Sequence, residues 1–204
     1  MERKTQTGYL LLADISGYTS FVAKTEIEHA DIALSRLLET IVEKLSGMLT
    51  ISKLEGDAVF AYVEESKIPE AKSLLEMIDQ TYMAFRDKAN DLYSDATCSC
   101  KACRAVPTLD LKFMVHHGDF IIQQVAGIKD LLGTDVNLVH RLAKNHVAES
   151  TGWQGYALFT HQGLERLQAD KAPFVQQTES YEHLGDVDIY VRDLHVRYEQ
   201  TKGA

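Results

Sequence analysis

A nearly unbroken apolar segment at residues 8–14 (GYLLLAD) restricts the fold of this chain more than any other stretch. A half-exposed strand would alternate apolar and polar residues, whereas this segment stays apolar until it reaches Asp14. Such a pattern is typical of a strand in the middle of a sheet that is covered on both faces. We therefore expect a central strand at residues 8–14, with helices packed against its sheet.

The rest of the chain predicts further strands and helices around this strand. Apolar residues recur at 3.6-residue spacing in helices at 31–46, after Pro69 and at about 135–147. A turn is predicted at Gly118 and Asp119. Strands are predicted at 48–54, 57–63, 109–115, 120–127, 155–160, 174–179 and 187–192, with a short helix around Leu164 and Leu167. This order indicates an α+β fold, a mainly antiparallel sheet covered by helices.

Length and charge restrict the class of protein. The 204 residues are expected to form one domain, 1–204, with a small cysteine-containing insertion at about 93–105. A formal net charge of −9 argues against a nucleic-acid partner, which would select a basic patch. No apolar run reaches the roughly 20 residues of a membrane span, and the first residues lack the apolar part of a signal peptide. We therefore expect a cytoplasmic protein with no membrane partner.

The apolar strand ends in a carboxylate that the core would not select. Asp14 would be costly if it were buried and unpaired. It is followed by Ser16, Gly17 and Thr19, where a glycine between two hydroxyl residues can turn the backbone N–H groups toward an anion. The alternative is that Asp14 only caps the following helix.

A second carboxylate, Asp57, follows Gly56 in the predicted hairpin. Turn chemistry alone often places Gly-Asp at such a position. Paired with Asp14, however, Asp57 would form a site for Mg²⁺, which binds one or two carboxylates together with substrate phosphates. Without a cation the carboxylates would repel a triphosphate by roughly 1–4 kcal/mol per close charge pair. The two residues together predict a metal site at adjacent strand ends.

Four other polar residues suit a nucleotide. Asn137 and Arg141 are four apart on a predicted helix, so they share a face. A guanidinium suits phosphoryl charge and an amide can orient a ribose, although a solvated helix face would carry the same residues. Lys53 and Asp130 complement adenine, since lysine donates to N1 and a carboxylate accepts from the N6 amino group. Guanine presents the reverse pattern at those positions.

These residues lie in three segments that resemble the catalytic domain of the class III nucleotidyl cyclases. In that family the first strand ends in a metal-binding Asp followed by Gly and Thr, and a hairpin carries Lys-x-x-Gly-Asp. A later block reads Asp-x-x-Gly-x-x-Val-Asn-x-x-x-Arg. The matching residues here are Asp14, Gly17, Thr19, Lys53, Gly56, Asp57, Asp130, Gly133, Val136, Asn137 and Arg141. The resemblance covers residues from about 8 to 194. It implies a ferredoxin-like βαββαβ core with extra C-terminal strands and a helix.

The resemblance also implies an activity: attack of the ribose 3′-OH of ATP on the α-phosphate, giving cyclic AMP and pyrophosphate. It implies a head-to-tail homodimer with two interfacial sites, each holding two Mg²⁺ or Mn²⁺ ions. The residues implied are Asp14, Ile15 and Asp57 for the metals; Lys53, Asp130, Ser16, Gly17 and Thr19 for the substrate; and Asn137 and Arg141 for catalysis. A residue that grips the terminal phosphates is not located by spacing. The alternative is a cyclase-like module that binds a nucleotide without turnover.

The three cysteines, Cys98, Cys100 and Cys103, have the spacing of metal ligands. Three thiolates leave a structural Zn²⁺ site one ligand short. His116 and His117, at the end of the next strand, are the nearest candidates, and we take His117 as the fourth ligand. Reduced thiols in a flexible loop, or a redox role, are the alternatives. A zinc-organised interaction domain is accordingly a third hypothesis for the function.

Overall fold

The computed structural model describes residues 4–68, 71–98 and 100–202. The strands are β1 (Thr5–Ser16), β2 (Thr50–Glu55), β3 (Ala58–Glu64), β4 (Asp110–Val125), β5 (Ile128–Leu132), β6 (Tyr156–Thr160), β7 (Val175–Tyr181) and β8 (Gly185–Asp193). The α-helices are α1 (Tyr18–Lys24), α2 (Ile27–Ser46), α3 (Ala71–Ser94), α4 (Lys101–Ala105), α5 (Thr134–Leu142), α6 (Val147–Thr151), α7 (His161–Arg166) and α8 (His195–Lys202). Pro69, predicted to open the second long helix, lies outside the described residues.

The strands form one sheet in the order β2-β3-β1-β4-β6-β8-β7, and β5 pairs with β4. Every pair is antiparallel except β4 with β6, which is parallel. The prediction of an α+β fold with a mainly antiparallel sheet is therefore confirmed. Among the residues that the structure describes, no helix has the length and apolar character needed to cross a membrane.

The central strand β1 is covered on both faces, as its continuous apolar pattern predicts. Leu11 packs in a core shared with α2 and α3, whereas Leu10 and Leu12 pack in a second core shared with α5. None of these three leucines is more than 3% exposed. Both faces of β1 therefore bury side chains, and its last residues emerge beside the β2–β3 hairpin.

The prediction of a turn at Gly118 and Asp119 is wrong. Both residues lie inside β4, which continues as one strand to the reversal at Gly127. A Cβ atom at Gly118 would lie 2.3 Å from Oδ2 of Asp135, at the start of α5. The glycine therefore reflects the close approach of a helix to the sheet, not a reversal of the chain.

Two predicted segments also have different bounds. The third helix ends at Leu142 and a separate helix, α6, begins at Val147. The side chain of Asn145 explains the break, because it donates to the carbonyl of Leu142 at 2.7 Å and accepts from the amide of Val147 at 2.9 Å. The cysteine insertion, predicted as a loop, contains the short helix α4.

Candidate functional site

Asp14 and Asp57 lie side by side where β1 passes the β2–β3 hairpin. In the β1–β3 pairing Asp14 is opposite Ala58, the residue after Asp57. The amide of Ile15 donates to the carbonyl oxygen of Asp57 at 3.2 Å, which fixes the hairpin end against β1. Gly56 adopts a φ of +67°, a conformation that glycine takes without strain. Strand pairing thus brings together two carboxylates that are far apart in the sequence.

Partial burial and the nearness of Asp14 together raise the pKa of Asp57 to about 6. Partial burial is the largest cause, and the negative charge of Asp14 and a hydrogen bond with it raise the pKa further. Two carboxylates in contact favour binding of either a proton or a cation. Because Mg²⁺ and Mn²⁺ prefer carboxylate oxygens, these donors fit such an ion.

Lys112 is a third charged residue at this site, and sequence reasoning missed it. It lies on β4 directly opposite Asp14, with its Nζ atom 3.3 Å from Asp14 Oδ2. The same amino group donates to the carbonyl of Ala143 at 3.2 Å. Its positive charge acts to lower the pKa of Asp57, and so partly offsets the repulsion between the carboxylates. Only the register of β1 with β4 reveals this contact.

The residues after Asp14 turn the chain from β1 into α1. Gly17 has a φ of +88° and is the N-cap of α1, so Asp14 does not cap that helix. The side chain of Ile15 is buried, which leaves its main-chain carbonyl as the group that could bind a metal. The hydroxyl of Ser16 donates to the carbonyl of Gln154 at 2.8 Å and secures the end of the strand. Thr19 is exposed in the first turn of α1.

Lys53 and Asp130 form the predicted pair, with Nζ and Oδ1 separated by 3.2 Å. Partial desolvation acts to lower the pKa of Lys53, but hydrogen bonds to Glu55 and Asp130 outweigh it and raise the pKa. The amide of Leu131 donates to Asp130 at 2.8 Å and, together with Lys53, holds the pKa of Asp130 below its usual value. The pair is therefore fully charged at neutral pH, with a fixed donor beside a fixed acceptor.

Glu55 and His140 complete this part of the site, and sequence reasoning missed both. Glu55 Oε1 lies 3.1 Å from Lys53 Nζ, and Glu55 Oε2 lies 3.4 Å from Nδ1 of His140. The His140 ring packs on Phe60, with 4.6 Å between ring centroids. Burial of this ring lowers the pKa of His140, which favours the neutral imidazole at pH 7. The position of Glu55 inside the Lys-x-x-Gly-Asp motif was the available signal, but spacing alone does not orient its side chain.

Asn137 and Arg141 lie on the exposed side of α5. The same helix buries Val136, Val139 and Leu142 against the sheet. The predicted common face therefore points away from the core of the protomer. A ligand held between two molecules could reach both side chains.

The three cysteine sulfurs converge with a histidine, but that histidine is His29 and not His117. The cluster of His29, Cys98, Cys100 and Cys103, here called the Cys3His cluster, has its four ligand atoms within 4.8 Å of one another. His117 lies elsewhere, with Nε2 3.4 Å from Glu65 and its ring edge against Tyr9. The choice of His117 is corrected because α2, which packs beside the cysteine segment, brings His29 to the sulfurs.

Comparison with known proteins gives a family and a fold. Residues 34–151 match the family described as "Protein of unknown function (DUF2652)". A curated relative, "Uncharacterized protein Rv2561/Rv2562" of Mycobacterium tuberculosis, is 34% identical over 120 residues, which are 57% of this chain and 54% of that protein. The chain thus matches about half the length of this relative.

Solved structures of nucleotide cyclases have the same fold. The guanylyl cyclase Cya2 aligns with a TM-score of 0.73 at 15% identity, over 94% of this chain and 93% of that one. The adenylyl cyclase CyaB from P. aeruginosa aligns with a TM-score of 0.70 at 17% identity, over 94% and 95%. A bacterial light-regulated adenylyl cyclase aligns with a TM-score of 0.71 at 14% identity, over 98% and 56%. The chain belongs to the family described as protein of unknown function (DUF2652), and its fold is that of the nucleotide cyclase catalytic domains.

Proposed function

We propose that this protein converts ATP to cyclic AMP and pyrophosphate. One arrangement carries the proposal: the β2–β3 hairpin places Asp57 beside Asp14 of β1 and, on the same hairpin, Lys53 against Asp130. Neither pair serves the hydrophobic core, and each suits one part of ATP. The cytoplasm, where ATP is made and thiols stay reduced, is the proposed location.

The carboxylate pair provides the metal-binding part of the proposed site. Asp14, Asp57 and the main-chain carbonyl of Ile15 would hold two Mg²⁺ or Mn²⁺ ions. When bound, such ions lower the pKa of the attacking 3′-OH and neutralise charge on the departing pyrophosphate. The turn at Ser16, Gly17 and Thr19 lies next to these ligands and is the proposed contact for the phosphates.

The lysine–aspartate pair provides base recognition. Lys53 would donate to N1 of adenine, and Asp130 would accept from its N6 amino group. Because Asp130 also holds Lys53 in place, the pair is preorganised before the nucleotide arrives. Guanine would leave both groups unpaired, so the arrangement favours ATP over GTP.

Asn137 and Arg141 are the proposed catalytic residues. The guanidinium of Arg141 would stabilise the charge that develops at the α-phosphoryl group, and the amide of Asn137 would hold the ribose for in-line attack. Their exposure on α5 suits contact with a nucleotide that a second molecule also binds.

The proposed assembly is a head-to-tail homodimer. In it, Asp14 and Asp57 of one subunit complete a site with Lys53, Asp130, Asn137 and Arg141 of the other. The β4–β5 hairpin supports this assembly, because Val125 and Ile128 are 59% and 73% exposed. Leu132, at the end of β5, is 51% exposed as well. A partner subunit that covers these apolar side chains would gain their burial free energy.

Product formation tests the proposal directly. The purified dimeric protein is incubated with ATP and Mn²⁺, and cyclic AMP is measured by chromatography with mass detection. We expect product from the wild type and none from Asp57→Ala. Asp31→Ala, at an exposed position of α2, is the matched control and should retain activity. Absence of product from intact dimer would exclude the proposal.

A second candidate function is nucleotide binding without turnover. The contact of Lys112 with Asp14 favours it, since a fixed ammonium neutralises one metal ligand. In that case ATP would bind to the dimer in calorimetry with Asp130-dependent selectivity, and no cyclic AMP would form with Mg²⁺ or Mn²⁺ between pH 6 and 9. Turnover under any of these conditions would rule it out.

A further inference from the structure

The Cys3His cluster joins two segments that the sheet does not connect. His29 lies near the start of α2, whereas the cysteines lie between α3 and the end of α4. We propose that this cluster binds one structural Zn²⁺ ion, which fastens the cysteine segment at residues 96–106 to α2. The site is separate from the proposed nucleotide site and would exist whether or not the protein turns over ATP.

The distances fit one tetrahedral ion. The sulfur of Cys98 lies 3.3 Å from that of Cys100 and 3.2 Å from that of Cys103. Nδ1 of His29 lies 3.2 Å from Cys100, 3.4 Å from Cys98 and 3.8 Å from Cys103. With Zn–S of about 2.3 Å and Zn–N of about 2.0 Å, a regular tetrahedron has edges of about 3.5–3.8 Å. The four atoms therefore already surround a space for one ion, and a small expansion gives ideal geometry.

Other uses of these atoms fit less well. A disulfide would need sulfurs about 2.05 Å apart and would leave one cysteine unpaired. An iron–sulfur cluster is normally held by four thiolates and separates them more widely than one ion does. Mg²⁺, Ca²⁺ and Mn²⁺ prefer oxygen ligands, whereas three thiolates with one imidazole are a typical donor set for structural zinc.

The surroundings of the cluster hold its ligands in place. The amide of Cys103 donates to the sulfur of Cys100 at 3.4 Å. This sulfur would therefore accept a hydrogen bond in addition to binding the ion. The amide of Ala102 donates to Oε2 of Glu26, the N-cap of α2, at 3.1 Å. Ala102 is completely buried, which seats α4 on the body of the protein. Two independent connections, through His29 and Glu26, therefore tie α4 to the same end of α2.

Helix α4 also packs against α1, which begins at Gly17 directly after the strand that carries Asp14. A Cβ atom at Gly17 would lie 3.5 Å from the carbonyl oxygen of Thr108, just beyond the cysteine segment. Zinc would thus stiffen the chain that backs α1, without contacting the nucleotide.

Metal analysis of protein purified without a histidine tag tests the proposal, with no nucleotide present. Native mass spectrometry and elemental analysis should find one zinc per chain. His29→Ala should weaken zinc binding about 100-fold or more, as measured against a competing chelator. His117→Ala is the matched control and should bind zinc like the wild type. His29→Cys, which keeps four ligands, should restore one zinc per chain if His29→Ala folds poorly.

Amide hydrogen exchange shows which part of the chain the proposed zinc ion stabilises. Removal of zinc should accelerate amide exchange in residues 96–106 and at the start of α2, and leave β1 unchanged. Two results would overturn the proposal: fully reduced protein that takes up no zinc on titration, or equal zinc affinity in the wild type and His29→Ala. Since the readout is metal content, failure of the proposed cyclase activity would leave this test intact.

Discussion

The amino group of Lys112 lies 3.3 Å from Oδ2 of Asp14, on the strand that pairs with β1. A fixed positive charge therefore stands next to the two carboxylates proposed to bind divalent ions. Like charges repel, so Lys112 opposes the entry of a metal ion while it offsets the repulsion between Asp14 and Asp57. In the proposed site this lysine would set how strongly metal binds.

Substitution of Lys112 by methionine should tighten metal binding. Removal of the ammonium leaves two uncompensated carboxylates, and we expect the affinity for Mn²⁺ to rise about tenfold at pH 8. Isothermal titration calorimetry measures the change. Lys44→Met, on the exposed face of α2, is the matched control and should have no effect. Weaker binding by Lys112→Met would show that the lysine supports the site by its contact with Ala143.

Metal binding should depend on pH through Asp57. Its pKa of about 6 lies above the ordinary value, so a proton competes with the metal below pH 6 and no longer competes well above it. We expect the apparent Mn²⁺ affinity to fall by up to about tenfold for each pH unit below 6. Asp57→Asn should bind weakly at every pH and lose this dependence. A wild-type affinity that is constant from pH 5 to 8 would contradict the assignment of Asp57.

Exchange of the charges at positions 53 and 130 should change the preferred purine. The double variant Lys53→Glu and Asp130→Lys keeps an ion pair but reverses its donor and acceptor positions. Guanine presents an acceptor at O6 and a donor at N1, so the ratio of ATP to GTP affinity should fall about 10- to 100-fold. Competition binding with both nucleotides gives the ratio. An unchanged preference would place the purine elsewhere on the protein.

Two inactive variants should restore each other if the sites lie between subunits. Asp57→Ala removes a metal ligand and Arg141→Ala removes a catalytic cation, and in the proposed dimer these belong to different subunits of the same site. An equal mixture should recover about a quarter of wild-type activity, because half of the dimers are mixed and each has one intact site. Native mass spectrometry confirms that mixed dimers form. Mixed dimers that form but have no activity would argue against sites built from both subunits.

Gly8 should be indispensable for stability because β3 approaches β1 closely there. A Cβ atom at Gly8 would lie 2.1 Å from the carbonyl oxygen of Val63. Gly8→Ala should lower the free energy of unfolding by about 3 kcal/mol, measured by urea denaturation. Gly47→Ala is the control, since its nearest neighbour is 3.8 Å away and its φ of −66° suits alanine. Equal stabilities of Gly8→Ala and the wild type would mean that β1 and β3 separate to admit a methyl group at little cost.

The sequence predicted the features that depend on local pattern. The buried central strand followed from the continuous apolar residues around Leu11. Asp14 stood out as the carboxylate that ends this apolar segment, and Asp57 as the carboxylate after Gly56 in the hairpin. Lys53 and Asp130 were paired through their fit to adenine, and they are in contact in the structure. The prediction of the strand succeeded because burial on both faces leaves a direct mark in residue order. The roles of the four polar residues stay predictions.

Features that depend on packing between distant segments were missed. Lys112 reaches Asp14 only through the β1–β4 register, and Glu55 meets His140 only where the hairpin contacts α5. His29 joins the cysteines because α2 lies against their segment, whereas spacing along the chain favoured His117. Spacing restricts neighbours along one element, but the contacts between elements come from packing of the whole core.

The β2–β3 hairpin carries Lys53 on one strand and Asp57 at its tip. In the proposed dimer these two residues would work in opposite reaction centres, although only three residues separate them in the chain. A tilt of this hairpin would weaken the contact of Lys53 with the adenine base in one centre. It would at the same time weaken the contact of Asp57 with a metal ion in the other centre. The two centres would then open and close together, so the hairpin would couple the opening of one centre to the opening of the other.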